Sequence, residues 1–152
     1  MFQNILQMRK IYFALLTVLI LSCNQNQIYR KMDADLKENR WYEKDSKKFE
    51  FEIIEEGNYS IFIELSHVLG TQFEKLPVEL KVTRPNGASE TAQLELNCTK
   101  SECVGDICDL KQLIKEKQKL VKGIYKIEIK PKTPFEFAPN IIGVGFSVEK
   151  SK

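Results

Sequence analysis

The sequence predicts an all-β protein: an antiparallel β-sandwich, immunoglobulin-like or jelly-roll-like, with one short surface helix. Three observations carry this. From Phe49 onward, apolar residues recur at every second position in six separate runs, the period of a half-buried strand. The runs are short and punctuated by turn residues, as at Glu55-Glu-Gly-Asn58 and Arg84-Pro-Asn-Gly87, which is the spacing of a sandwich. The 152-residue chain is 43% hydrophobic and 29% charged, which suits one globular core and excludes a multi-domain enzyme, a collagen-like repeat or a disordered tail.

Phe49, Phe51 and Ile53 alternate with Glu50 and Glu52. After the first turn, Tyr59, Ile61, Ile63 and Leu65 alternate with Ser60, Phe62 and Glu64, so the two runs read as an antiparallel hairpin. Val78, Leu80 and Val82 form the next strand. The Arg84–Gly87 turn follows, where Pro presets φ and Asn-Gly tolerates positive φ, and Thr91–Leu96 returns as its partner. Asp109–Leu120 breaks the period. Leu110, Leu113, Ile114 and Leu120 stand at near-helical spacing among lysines, which predicts a surface helix of two or three turns capped by Asp109. Alternation resumes at Gly123–Ile129. The prolines of Lys130-Pro-Lys-Thr-Pro134 bar a central strand there. In the last run, Ile142, Val144, Phe146 and Val148 face one way and Gly143, Gly145 and Ser147 the other; the small face implies close approach by a neighbouring backbone. Weak strands are expected near Thr71–Phe73 and within 97–108.

Residues 1–22 carry two charges, Arg9 and Lys10, followed by the apolar run Ile11–Leu21. That run is shorter than the ~20 residues of a spanning helix and reads as a secretory signal. Ile20-Leu-Ser-Cys23 resembles a bacterial lipobox, which implies acylation and cleavage at Cys23. Domain boundaries follow: a lipoprotein signal at 1–22, a lipid-anchored irregular arm at 23–48 and the sandwich at 49–150. Among bacterial lipoproteins, an Asp after the Cys or an acidic run signals other destinations. Asn24-Gln-Asn-Gln27 has neither, so the resemblance implies an outer-membrane anchor with the domain in the periplasm. Beyond residue 22 the chain holds 21 basic and 21 acidic residues, a balance that argues against nucleic acid as a partner.

Cys98, Cys103 and Cys108 are spaced C-x4-C-x4-C, unlike the paired spacings of a zinc site. One disulfide with a spare thiol is expected in an oxidising compartment. Cys98–Cys108 is the working assignment, and Cys103–Cys108 or three reduced thiols are the alternatives. The one histidine, His67, follows Ser66 on a strand, where alternation sends neighbours to opposite faces. No Gly-rich phosphate loop, G-x-S-x-G or H-E-x-x-H occurs, and acids such as Glu50, Glu52 and Glu64 read as a solvated face. No enzyme activity, cofactor or metal is expected. Trp41, His67, Phe135 and Phe137 are the candidate partner or ligand contacts; Trp41 packs at the core edge or stacks on a ligand, and Phe135 and Phe137 form a flap folded onto the core or stand exposed in a loop.

The order of features resembles the GldH family, small lipoproteins associated with gliding motility in Bacteroidetes. The resemblance lies in Cys23, Tyr29, Trp41 ahead of Phe49-Glu-Phe-Glu-Ile53, Tyr59–Leu65 with His67, Pro85-Asn-Gly87, Gly105-Asp-Ile107, Gly123-Ile-Tyr125 and Ile142-Gly-Val-Gly145. It implies an envelope lipoprotein needed for surface motility and linked to the machinery that exports and moves adhesins, with no enzymatic activity. The leading expectation for its role there is a non-enzymatic scaffold or assembly component, with other gliding or secretion envelope proteins as partners. A carbohydrate- or peptide-binding lipoprotein is the alternative.

Overall fold

A computed structural model describes residues 26–151; the expected signal segment at 1–22 and Cys23 lie outside them. Eleven strands run β1 (Gln27–Asp33), β2 (Arg40–Tyr42), β3 (Lys47–Ile53), β4 (Gly57–Val68), β5 (Lys75–Thr83), β6 (Ser89–Asn97), β7 (Glu102–Val104), β8 (Ile107–Leu120), β9 (Gly123–Pro131), β10 (Phe137–Pro139) and β11 (Ile141–Lys150). They form a five-stranded sheet, β1-β11-β4-β8-β7, a four-stranded sheet, β3-β9-β5-β6, and a two-stranded ribbon, β10-β2. All recorded pairings are antiparallel.

The two large sheets face each other across one core, so the molecule is sandwich-like. Phe146 of the five-stranded sheet stacks on Phe49 and Phe51 of the four-stranded sheet, with centroids 6.0 and 5.8 Å apart. Tyr125 and Tyr29 extend the row, 5.3 and 5.5 Å from Phe51; such offset aromatic contacts add to the area they bury. At one corner Gln112 of β8 donates from Nε2 to the Glu95 carbonyl and accepts from the Asn97 N–H, each at 2.8 Å. It thereby occupies edge groups of β6 that are otherwise open to another strand.

Three expectations are corrected. Residues 109–120 are strand, not helix: β8 pairs along β4, from Gly57↔Leu120 to Val68↔Ile107. Leu110, Gln112 and Ile114 turn toward the core at period two. Register shifts opposite Ile61 and a left-handed Lys117 (φ 49°) then move the phase before Leu120 is buried. These irregularities, which are bulges in a long strand, produced the near-helical spacing. The only helical turns among the described residues are short 3-10 turns at Lys37–Asn39 and Cys98–Lys100.

The second correction concerns the first two runs, which are not a hairpin. β3 pairs β9, while β4 pairs β11 and β8. Alternation fixes which face each run buries but not its neighbour, and the Ile54–Glu56 turn crosses between sheets. The third concerns the arm. Gln27–Asp33 is an edge strand paired with β11, and Arg40–Tyr42 pairs with β10, so the folded domain reaches back to residue 27. The 97–108 segment does hold a strand, β7, whereas Thr71–Phe73 holds none. The expected hairpin around Arg84–Gly87 is present as β5–β6.

The strands give the sandwich two ends. One holds Asn26, the Ile54–Glu56 and Val121–Lys122 turns, the Arg84–Ala88 turn and the last residues of β11. The other holds the β2/β10 ribbon, the Leu69–Glu74 connection, the β7 hairpin and the Lys132–Glu136 loop.

Candidate functional site

The ribbon closes the second end, and strand alternation sorts its side chains. Trp41 and Ala138 are direct partners and both are fully buried beneath it. Tyr42↔Phe137 and Arg40↔Pro139, the neighbouring pairs, therefore project outward. The Tyr42 and Phe137 rings lie 5.2 Å apart. Arg40 sits 5.1 Å over Phe137, and Lys44 sits 5.4 Å over Tyr42, within cation–π range. Glu38 pairs with the Arg40 guanidinium at 2.8 Å.

The chain enters the ribbon through left-handed Glu38 and Asn39 (both φ 54°) and leaves through left-handed Asn140 (φ 62°). Asn adopts this region readily, whereas at Glu38 it costs on the order of 1 kcal/mol. The surroundings hold the strained segment in place. Trp41 Nε1 donates to the Asp45 carbonyl at 2.8 Å. Buried Lys47 donates to the Asp35 carbonyl at 2.8 Å and sits 3.1 Å from Asp45 and 3.4 Å from Asp33. The outward row is thus held on backbone fixed by buried partners, and such preorganisation limits the ordering cost that any contact made there would carry.

Beside the ribbon lies an open cleft of about 520 Å³, lined by Glu38, Arg40, Gln72, Phe135, Phe137, Pro139 and Asn140. Phe135 is 61% exposed and lies 6.3 Å from Phe73. The cleft offers ring faces, a guanidinium and the two amides of Gln72 and Asn140, and its one carboxylate, Glu38, is paired with Arg40. That chemistry suits recognition of a surface or a planar, hydrogen-bonding ligand.

Of the sequence candidates, Phe135 and Phe137 come together here. Trp41 and His67 do not, and their reading as contacts is corrected. Trp41 is the floor of the ribbon with no exposed surface. His67 is buried, with Nε2 2.8 Å from Ser101 Oγ and Nδ1 3.0 Å from the Val68 carbonyl, so both nitrogens have partners inside the domain. The Cys98–Cys108 assignment is corrected as well. Cys103 and Cys108 are bonded across the β7–β8 hairpin, while Cys98 points into the core, where burial raises its thiol pKa. Arg40 and Tyr42 were missed. They follow only once 40–42 is known to be a strand, because an inward Trp in a strand turns both neighbours outward.

Glu64 also departs from the expected solvated face. It lies on the outer face of the five-stranded sheet yet is only 4% exposed. Arg30 Nη2 and Nε grip its carboxylate at 2.7 and 2.9 Å, and Ser147 donates to Oε1 at 2.7 Å. The hydrogen bonds and charge of Glu64 raise the Arg30 pKa further. Gly145 makes room for this: a Cβ there would stand 3.1 Å from the Glu64 Cβ and 3.0 Å from Met32. This cluster is a closed structural pairing.

The fold and this end of it define a sandwich-like, antiparallel all-β domain with an outward row of aromatic and guanidinium groups. The chain belongs to the GldH lipoprotein family, whose model matches residues 27–148. No curated protein matches it significantly. Among solved structures, it is similar to TmCBM61 in complex with beta-1,4-galactotriose, with 16% identity, TM-score 0.36 and coverage of 80% of this chain and 82% of that one. It is also similar to the infectious bursal disease virus VP2 subviral particle, with 13% identity, TM-score 0.35 and coverage of 79% and 31%. A third is the C-terminal domain of EclA, a sugar-binding protein, with 13% identity, TM-score 0.33 and coverage of 86% and 82%. At these scores no ligand is read across.

Proposed function

We propose that this GldH-family protein is an outer-membrane lipoprotein, acylated at Cys23 and facing the periplasm. It serves there as a non-enzymatic assembly component of the gliding-motility and adhesin-secretion machinery, docking another envelope protein through the ribbon platform. The observation that supports docking is the outward row Arg40, Tyr42, Phe137 and Pro139 on a ribbon whose inward residues are fully buried. Arg and aromatic anchors on a rigid base are the composition of interface hot spots. The balanced charge beyond residue 22 supports a protein partner over nucleic acid.

The test replaces Tyr42 and Phe137 with Ala in a cell that depends on the protein for surface movement. Loss of movement with normal protein level and membrane attachment is expected. Full movement in the double variant contradicts docking by the platform. A second reading, carbohydrate or peptide binding, is favoured by the open cleft, where Phe135 and Phe137 meet Gln72. It predicts a rise in Tm with a saccharide or peptide that disappears in Phe137→Ala.

A further inference from the structure

The end opposite the ribbon carries a different surface. Two turns cross between the sheets there, and each is tied down by a core tyrosine. Tyr59 donates from its hydroxyl to the Glu55 carbonyl at 2.6 Å. The Tyr125 hydroxyl accepts from the Val121 N–H at 3.0 Å and lies 3.2 Å from the Val121 carbonyl. These rigid turns nevertheless hold apolar side chains out to solvent: Ile54 is 77% exposed and Val121 47%. Ile28 and Ile124, both more than two-fifths exposed, flank them at the same end. The acids of the turn are neutralised, Glu56 by Lys119 and Glu55 by Lys150, each at 2.9 Å. Lys122 has no carboxylate partner among the described residues.

The covalent path from the acylation residue ends at this surface. The Asn26 carbonyl accepts from the Lys150 N–H at 2.7 Å, and Lys150 is the residue paired with Glu55 of the Ile54 turn. Cys23 is three residues before Asn26. Three extended residues span about 10 Å, so an acylated Cys23 holds this end within about 10 Å of its anchoring point in the bilayer surface.

We propose that the Ile54/Val121 end rests in the lipid headgroup layer, with Ile54 and Val121 inserted at the acyl boundary and Lys122 reaching lipid phosphates. The occupant is the bilayer itself, because the short tether from Cys23 to Asn26 brings this end to it. Exposed aliphatic side chains beside a free lysine and neutralised acids match an interfacial surface. The sandwich then stands upright. β4 has twelve residues, or about 40 Å of strand, so the ribbon platform is presented about that far from the membrane. This rests on acylation at Cys23 from the function proposed above.

The test uses the full acylated protein in vesicles of phosphatidylethanolamine and phosphatidylglycerol whose acyl chains carry bromine, a contact quencher of tryptophan. Ile54→Trp and Leu69→Trp place reporters at opposite ends, both at exposed positions, and buried Trp41 is the common background. Loss of the added emission in Ile54→Trp, with none in Leu69→Trp, is the expected result. Carbonate extraction of the same vesicles separates the two claims. If the protein resists extraction but Ile54→Trp is not quenched, the anchor stands and the resting surface is wrong. Equal quenching at both ends also overturns the upright placement. Release by carbonate removes the anchor and the inference with it.

Discussion

Trp41 and Ala138 face each other across the β2/β10 ribbon, both without solvent exposure. Their burial aims Arg40, Tyr42, Phe137 and Pro139 away from the protein. One indole therefore sets both the stability of the ribbon and the direction of its contact face, and the two roles separate by mutation.

Trp41→Ala is expected to destabilise the domain by about 3–5 kcal/mol, the usual cost of emptying a large aromatic site, and to lose the Asp45 hydrogen bond with it. Tyr42→Ala and Phe137→Ala are expected to change stability by less than about 1 kcal/mol while weakening partner binding by roughly 30-fold if either is a hot spot. Urea unfolding and a binding titration on the same variants check the separation.

Arg30→Ala leaves the buried Glu64 carboxylate with Ser147 as its remaining partner. Breaking a fully buried pair costs about 3–5 kcal/mol. Arg30 is half-exposed and water can replace part of it, so a loss of about 2 kcal/mol is expected. Arg30→Met combined with Glu64→Leu is expected to recover most of that loss, since the uncompensated charge is gone. A double-mutant cycle by urea unfolding measures the coupling.

Trypsin cuts after Lys100, which separates Cys98 from Cys103 and Cys108. The non-reduced peptide Ser101–Lys111 should therefore appear alone, two hydrogens lighter than its reduced form. A cross-linked pair of peptides containing Cys98 would contradict the Cys103–Cys108 bond. The bridge closes a short loop, so Cys103→Ser is expected to cost about 2 kcal/mol or less.

Cys98 should react with iodoacetamide only after unfolding. Burial raises its pKa in the folded protein, so the native state favours the neutral thiol. The stability this contributes is fully present below the unfolded thiol pKa of about 8.5 and is lost as pH rises above it, because the unfolded chain then releases a proton that the folded chain keeps. Cys98→Ala should remove that part of the decline, as read from urea midpoints across alkaline pH.

The sequence disclosed faces better than neighbours. Phe49, Phe51, Tyr59 and Ile61 were assigned inward correctly, because period two reports burial directly. That β3 and β4 lie in different sheets was hidden, since pairing is decided by long-range contacts that no local pattern records. β8 misled for a physical reason: its bulges reset the phase, and pairing with β4 overrides the spacing of its leucines. At the candidate site, Phe135 and Phe137 stood out as aromatics after Pro134, but the sequence favours a flap over the core, whereas Phe135 is exposed and Phe137 lies in β10. Arg40 and Tyr42 did not stand out, because residues 24–48 contain too few apolar positions to show a period. Glu64 looked solvated because a strand's outer face is normally wet; only the opposing Gly143, Gly145 and Ser147 hinted at something packed there.

The most direct measurement places a photo-reactive phenylalanine analogue at Phe137, with the same analogue at Lys81, exposed on the outer face of the four-stranded sheet, as control. Irradiation in intact cells should give a covalent adduct with another component of the motility or adhesin-secretion machinery from position 137, absent from position 81 and reduced by Arg40→Ala. Equal adducts from both positions, or none from position 137 while the cells still glide, would contradict docking through the ribbon.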